Sequence, residues 1–239
     1  MKISVLAKGT RKILPLKKCG AVIVAAGSAS RMGGIDKVMA PLQEEPMIVR
    51  TVRSFAQSDV IREIVVVTRQ DLIQPIMELC RDFSKVRTVI AGGNSRQESV
   101  EIGLQALSKD IKLAAIHDGA RPLISQAVID RTVRAANTYS AAAPGIPVKD
   151  TMKVAQGGVI VATPDRSKLR AIQTPQVFDI DLLKGALHKA RQENAELTDD
   201  CSAVERLGMS VKIVEGDERN LKVTTPMDLK IAQILLEEM

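Results

Sequence analysis

The feature that most constrains this chain is a repeated alternation. A short, unbroken run of Val, Ile and Ala is followed by a longer segment whose apolar residues recur at helical spacing. Ala21–Ala26, Ile64–Thr68, Val86–Ala91 and Leu113–His117 are such runs, predicted as strands buried on both faces. Met47–Gln57, Leu72–Phe83, Ser95–Leu107 and Gln126–Thr138, between and after them, are predicted as amphipathic helices. A β-α-β-α order with right-handed crossovers implies an α/β fold with a doubly wound, mostly parallel sheet of Rossmann-like type. Ligands on such sheets gather beyond the C-terminal ends of the strands, which directs attention to the loops there.

The 239 residues suit one α/β domain, and only 2% are aromatic, with no Trp, so its core must be built from Ala, Val, Ile and Leu. Net charge is +6, a balance that fits polyanionic partners. The cations are scattered without interleaved aromatics for base stacking, which argues against a nucleic-acid partner. Their one cluster, Lys8, Arg11, Lys12, Lys17 and Lys18, lies in residues 1–18 and reads as a solvated N-terminal extension. Cys19, Cys80 and Cys201 have no metal-ligand spacing, and no apolar run approaches the ~20 residues of a membrane span. The expectation is a cytoplasmic protein with no membrane association.

The rhythm changes after Ala143. Pro144-Gly145-Ile146-Pro147 opens a stretch of short β-like pieces around a Gly157-Gly158 turn, closing near Thr174-Pro175-Gln176. This stretch, about 144–175, reads as a protruding β-arm inserted in a single domain of residues 19–239. Helices are predicted again at Asp181–Gln192, Asp200–Leu207 and Pro226–Leu236, with a strand at Val211–Val214.

Three strand-end motifs carry the chemistry. The first strand runs into Ala25-Ala26-Gly27-Ser28-Ala29-Ser30-Arg31-Met32-Gly33, with Lys37 following. Small residues let a backbone approach a ligand, and successive N–H groups can form an anion nest. It is not a P-loop, because Val38 follows Lys37, and not a dinucleotide fingerprint, because Ala29 stands where the second Gly belongs. The second motif is Gly92-Gly93-Asn94-Ser95-Arg96-Gln97-Glu98-Ser99, with Ser95 and Glu98 expected to form a capping box. The third is His117-Asp118-Gly119-Ala120-Arg121-Pro122, a carboxylate at a strand end suited to ribose or metal contact. At this level a turn carboxylate paired with Arg121 explains Asp118 as well.

In this order and spacing the motifs resemble the 2-C-methyl-D-erythritol 4-phosphate cytidylyltransferases of the non-mevalonate isoprenoid pathway. The resemblance continues through Pro147–Lys153, Thr174-Pro175-Gln176, Leu197-Thr198-Asp199-Asp200, Val214-Glu215-Gly216 and Asn220–Thr224, covering about residues 19–236. It implies CMP transfer from CTP to 2-C-methyl-D-erythritol 4-phosphate, with Mg2+ as cofactor. Ala25, Ala26 and Gly27 would contact the nucleotide, Arg31 and Lys37 its triphosphate, and Gly93, Asn94 and Ser99 the cytosine. Asp118 and Gly119 match positions near the ribose and metal-bound phosphates, with Asp118 the candidate Mg2+ ligand. Arg121, Thr198 and Lys222 match substrate-side positions. Thr151, Arg166 and Thr174 match residues of an arm that enters the partner subunit's site, implying a homodimer. Arg31, Lys37, Arg166 and Lys222 would carry catalysis.

The chain departs from the family pattern at Ala29, usually Gly, and at Val38-Met39, usually Gln and an aromatic. Two alternatives stand beside this reading: a ribitol 5-phosphate cytidylyltransferase of the same fold, and a basic nucleic-acid-binding protein. Asp150 and Asp199 are expected to orient Lys149 and Thr198 rather than to bind metal.

Overall fold

The structure, a computed structural model, describes residues 15–27 and 37–238. In chain order the strands are β1 (Cys19–Val24), β2 (Pro41–Leu42), β3 (Glu45–Pro46), β4 (Ile61–Thr68), β5 (Val86–Ala91), β6 (Leu113–Asp118), β7 (Ala141–Pro147), β8 (Val154–Gln156), β9 (Val159–Ala162), β10 (Arg170–Ile172), β11 (Gln176–Asp179) and β12 (Lys212–Glu215). The helices are α1 (Met47–Ala56), α2 (Ile73–Leu79), α3 (Arg96–Ala106), α4 (Gln126–Tyr139), α5 (Ile180–Gln192), α6 (Asp200–Arg206) and α7 (Pro226–Glu237).

Strands β6, β1, β4 and β5 lie side by side and parallel, as the βαβ rhythm requires. Alternate residues of each strand feed two cores. Ala21 and Ile23 of β1, Ile64 and Val66 of β4, and Leu113 and Ala115 of β6 pack with α1, α2 and α4 through Val52, Phe55, Ile76, Ile129 and Val133. Val22, Val65, Val67, Ala114 and Ile116 pack on the other face with α3, α5 and α6 through Val100, Leu104, Leu183, Leu187 and Val204. Burial on both faces is why β1, β4 and β6 read as continuous apolar runs, whereas β5, expected to be buried likewise, lies at the sheet edge with only Val89 fully buried. The second layer sits close: a Cβ on Gly103 of α3 would lie 2.3 Å from Val22 Cγ1.

Beyond β6 the sheet departs from the simple rhythm. β11 runs antiparallel to β6, and β7 follows it. Ala142 pairs with both Val177 and Lys212, and Gly145 with both Ile172 and Glu215. One edge of β7 therefore carries β12, while β11 and β10 share the other. The stretch expected as an arm thus begins and ends in the central sheet, since its first residues, 144–147, complete β7 and Arg170–Ile172 near its end form β10, which pairs with β7. Between these ends, β8 and β9 form a separate antiparallel pair with every residue exposed. Gly157 and Gly158 turn it at φ +56° and +79°, values that suit glycine and close a two-residue hairpin.

Element ends differ from the sequence expectation where tertiary contacts intervene. β1 begins at Cys19 and leaves the ladder after Val24, although the Ala25 N–H still donates to the Val67 carbonyl at 2.7 Å. The helix expected over Leu72–Phe83 is a 3-10 turn (Gln70–Leu72) followed by α2, which stops at Leu79. A turn bond from Phe83 N–H to the Cys80 carbonyl then sets Phe83 against the core beneath the Arg53 guanidinium.

Candidate functional site

The C-terminal ends of β1, β5 and β6 open into one cleft of about 420 Å3. Its walls come from Ala25, Ala26, Gly27 and Lys37 on one side and Gly93–Arg96 with Ser99 on the other, and Asp118, Ala120 and Lys222 line its floor.

The second wall is an ordered turn at the start of α3. Ser95 caps the helix, its hydroxyl accepting from the Glu98 N–H at 3.1 Å. The other half of the expected capping box is absent: the Glu98 carboxylate reaches one residue further back and accepts from the Asn94 N–H at 2.6 Å. The buried Ser99 hydroxyl accepts from the Gly93 N–H at 3.2 Å and donates to the Ser95 carbonyl at 2.9 Å. Gly92 and Gly93 are required by proximity, since a Cβ on either would lie 2.6 Å or less from Ala26, Ser99 or Glu98. Both glycines and Ser99 therefore hold the turn open at the cleft.

Asp118 is the electrostatic centre. Lys222 Nζ lies 2.9 Å from its carboxylate, Arg96 Nε 3.6 Å and Arg121 Nε 3.7 Å. Burial pushes this carboxyl up, but Lys222, then Arg96 and Arg121, outweigh it and hold the group down at about 2. Pairing with Arg121 is thus one of three ion pairs rather than the whole explanation of Asp118. Arg96 is itself held from behind by Asp200 at 2.8 Å, a fully buried carboxylate whose pKa burial drives upward against the pull of Arg96.

Asp200 opens α6, whose N-terminus is built with care. The Asp199 side chain accepts from the Ser202 N–H, and the Ser202 hydroxyl completes a capping box. The Gln176 carboxamide accepts from the N–H groups of Asp200 and Cys201 at 3.0 and 3.1 Å and donates to Asp199 at 2.7 Å. Asp199 therefore serves α6 and Gln176, not the exposed Thr198 as expected, because helix capping claims its carboxylate. Likewise Lys149 is met by Glu218 at 2.5 Å rather than by Asp150.

Lys222 is positioned by its backbone. The Val223 N–H donates to the Ala120 carbonyl at 2.8 Å, and the buried Asn220 donates to the Thr174 carbonyl at 2.9 Å. Gln173 clamps the same loop through both the N–H and the carbonyl of Asp217. Arg121 donates to the Asn220 carbonyl at 2.7 Å, so floor and loop form one unit.

The structure brings together most of the residues singled out in the sequence. Ala25, Ala26, Gly27, Lys37, Gly93, Asn94, Ser99, Asp118 and Lys222 all line the cleft, while Gly119 and Arg121 sit in the turn beneath it. Arg31 and Ala29 lie outside the described residues. Thr151 and Arg166 are exposed in the 148–169 segment, where Arg166 donates to the Lys149 carbonyl and lines a different cavity. Thr174 is buried behind this chain's own cleft floor, its hydroxyl bonded to the Asp118 N–H and to His117. Arg96, Asp200 and Gln176 went unassigned from sequence. The signal for Arg96 was present, since helix capping explained Ser95 and Glu98 but not the arginine between them.

One carboxylate amid cations is not a self-sufficient metal site, and among the described residues no three His, Cys, Asp or Glu side chains cluster to hold a metal ion. It does fit Mg2+ brought with a polyphosphate, because that ion commonly takes one or two carboxylates and completes its shell with phosphate oxygens and water. His117 is no candidate base: burial pushes its imidazole down to about 4, and both ring nitrogens are partnered.

Residues 19–238 match the family IspD, 2-C-methyl-D-erythritol 4-phosphate cytidylyltransferase. Enzymes of that name from Caldanaerobacter subterraneus subsp. tengcongensis and Symbiobacterium thermophilum are each 43% identical to the chain over 91% of its length, covering 98% and 92% of their own. Among solved structures, the 4-diphosphocytidyl-2C-methyl-D-erythritol synthase of Anaerococcus prevotii superposes with a TM-score of 0.84 at 30% identity, over 92% of this chain and 96% of its own. The 2-C-methyl-D-erythritol 4-phosphate cytidylyltransferase of Thermus thermophilus gives 0.76 at 30% identity, over 90% and 98%. The glycine turns, the strand-end Asp118 and Lys222 thus sit in a fold and a sequence shared with these enzymes, and the chain belongs to the 2-C-methyl-D-erythritol 4-phosphate cytidylyltransferase family.

Proposed function

We propose that the cleft transfers CMP from CTP to 2-C-methyl-D-erythritol 4-phosphate, releasing pyrophosphate. The observation that carries this reading is the floor of the cleft, where Lys222, Arg96 and Arg121 converge on Asp118 between two walls able to approach a nucleotide closely. The nucleophile is a phosphate monoester oxygen. With a second pKa of about 6 it is already anionic at neutral pH, so no general base is needed. That agrees with a cleft whose nearest imidazole is buried and neutral.

The difficulty is electrostatic, because two polyanions must meet while charge builds on the α-phosphate and on the departing pyrophosphate. Preorganised cations stabilise that charge. Lys37 and Lys222 supply them in the cleft, and Arg31, outside the described residues, is proposed to join them. The attacking oxygen forms a new bond to the α-phosphorus as the α–β bridging P–O bond breaks, and the electron pair leaves with pyrophosphate. Asp118 would hold Mg2+, which when bound neutralises phosphate charge. Gly93, Asn94 and Ser99 would read the cytosine from the α3 turn, and Ala25–Gly27 with Gly119 would face the nucleotide from the β1 and β6 ends.

The exposed Thr151 and Arg166 do not line this cleft, and we propose that they complete the sugar-phosphate site of a partner subunit in a homodimer, in the cytoplasm. Thr198 and Arg121 would stand on the acceptor side. Incubation with CTP, Mg2+ and each sugar phosphate in turn, following pyrophosphate release, tests the assignment. Turnover with 2-C-methyl-D-erythritol 4-phosphate is expected, and faster release with ribitol 5-phosphate would overturn it.

A further inference from the structure

The chemistry above leaves one group of the cleft floor without a task. His117, the penultimate residue of β6, is fully buried, its ring against Phe55 with centroids 4.7 Å apart. Its Nε2 lies 3.2 Å from the Arg121 carbonyl oxygen, which can only accept, so the ring proton belongs on Nε2. Nδ1 lies 3.0 Å from the Thr174 hydroxyl, and that hydroxyl accepts from the Asp118 N–H at 3.1 Å. On a neutral ring Nδ1 is an acceptor, so Thr174 donates to it. Each proton then has one place: Asp118 N–H to Thr174, Thr174 O–H to Nδ1, and Nε2–H to Arg121.

The relay starts and ends on the same turn. Residues 118–121 are closed by an Arg121 N–H to Asp118 carbonyl bond of 3.0 Å, and they carry both the anionic centre of the cleft and one of its cations. A leucine or phenylalanine could fill the space beside Phe55. Neither could join an acceptor on one side to a donor on the other.

We propose that His117 and Thr174 are positioning residues: a buried hydrogen-bond relay that fixes the 118–121 turn and so aims the Asp118 carboxylate and the Arg121 guanidinium into the nucleotide cleft. Thr174 acts through Asp118 in this assignment, which rests on the cytidylyltransferase reading of the site. The relay also ties the cleft floor to the strand that returns from the β8–β9 hairpin, since Thr174 follows β10 by two residues.

Two kinds of measurement test it. Without substrate, imidazole 15N shifts at neutral pH should report the Nε2–H tautomer for His117. Amide exchange at Asp118 should quicken at least about tenfold in Thr174→Val, which keeps the side-chain shape and loses the hydroxyl. With substrates, Thr174→Val should lower kcat about ten- to a hundredfold with KM for CTP changed less than about threefold, because a misplacement near 1 Å costs on that scale. Thr174→Ser, which restores the hydroxyl, should recover most of the loss. A role confined to stability would lower the folded fraction and leave kcat per folded enzyme unchanged, and that result overturns the proposal. So does the Nδ1–H tautomer, or unchanged Asp118 exchange in Thr174→Val. If the tautomer and exchange behave as expected while the unaltered enzyme releases no pyrophosphate, the relay stands and the assigned reaction fails.

Discussion

A histidine kept neutral by burial makes folding sensitive to mild acid, and His117 sets the size of that effect in this fold. Burial in the sheet pushes its imidazole from 6.5 down to about 4, with Asp118 opposing the shift only in part. The folded value lies below the unfolded one, so between them the unfolded chain binds a proton that the folded chain refuses. The contribution is therefore complete above about pH 6.5 and is lost as the pH falls toward 4. At 1.36 kcal/mol per tenfold change, the whole gap corresponds to about 3 kcal/mol, a large share of a typical ~5–15 kcal/mol stability. Chemical denaturation of the unaltered protein and of His117→Gln, at about pH 7 and about pH 4.5, measures it. Their difference separates the histidine from the carboxylates that titrate in the same range, and it should shrink by roughly 2.5 kcal/mol between those two pH values. If both proteins lose stability in parallel, burial is not what holds the ring neutral.

Two further outcomes follow from the packing and the charges. Gly103→Ala would place a methyl 2.3 Å from Val22 Cγ1, so thermal or chemical unfolding should show a loss of about 1–3 kcal/mol, and a neutral result would mean that α3 lifts from the sheet without cost. Lys37→Ala removes a cleft cation and should lower turnover about a hundredfold, roughly 3 kcal/mol, with the fold retained, while near-normal turnover would remove Lys37 from the mechanism.

The central sheet was legible because a strand buried on both faces must be apolar without interruption, and Ile64–Thr68 or Leu113–His117 could hardly be anything else. β11 was not, since Gln176–Asp179 is four residues with no period, and its place between β6 and β7 is decided by pairing at a distance. The helix ends moved where a side chain was needed elsewhere, as with Phe83 after α2. In the cleft, the glycine turns and Asp118 could be read because their signals are local. The Arg96–Asp200 pair joins residues 104 apart in sequence, and neither carries a local mark of the other. Thr174 was placed on the arm by analogy, whereas its hydroxyl is spent on the Asp118 N–H and His117 because the chain between β10 and β11 returns it alongside the end of β6.

The three cations around Asp118 mean that the cleft carries its own surrogate anion. Before any nucleotide arrives, Lys222, Arg96 and Arg121 are already drawn toward one point, so little side-chain ordering remains to be done when a phosphate takes over part of that role. Arg96 and Arg121 also have second anchors, Asp200 and the Asn220 carbonyl, and will tend to stay put. Lys222, with its side chain 42% exposed, is freest to change partner. Entry of a triphosphate then becomes an exchange of one negative partner for another, and the lysine is the arm of that exchange.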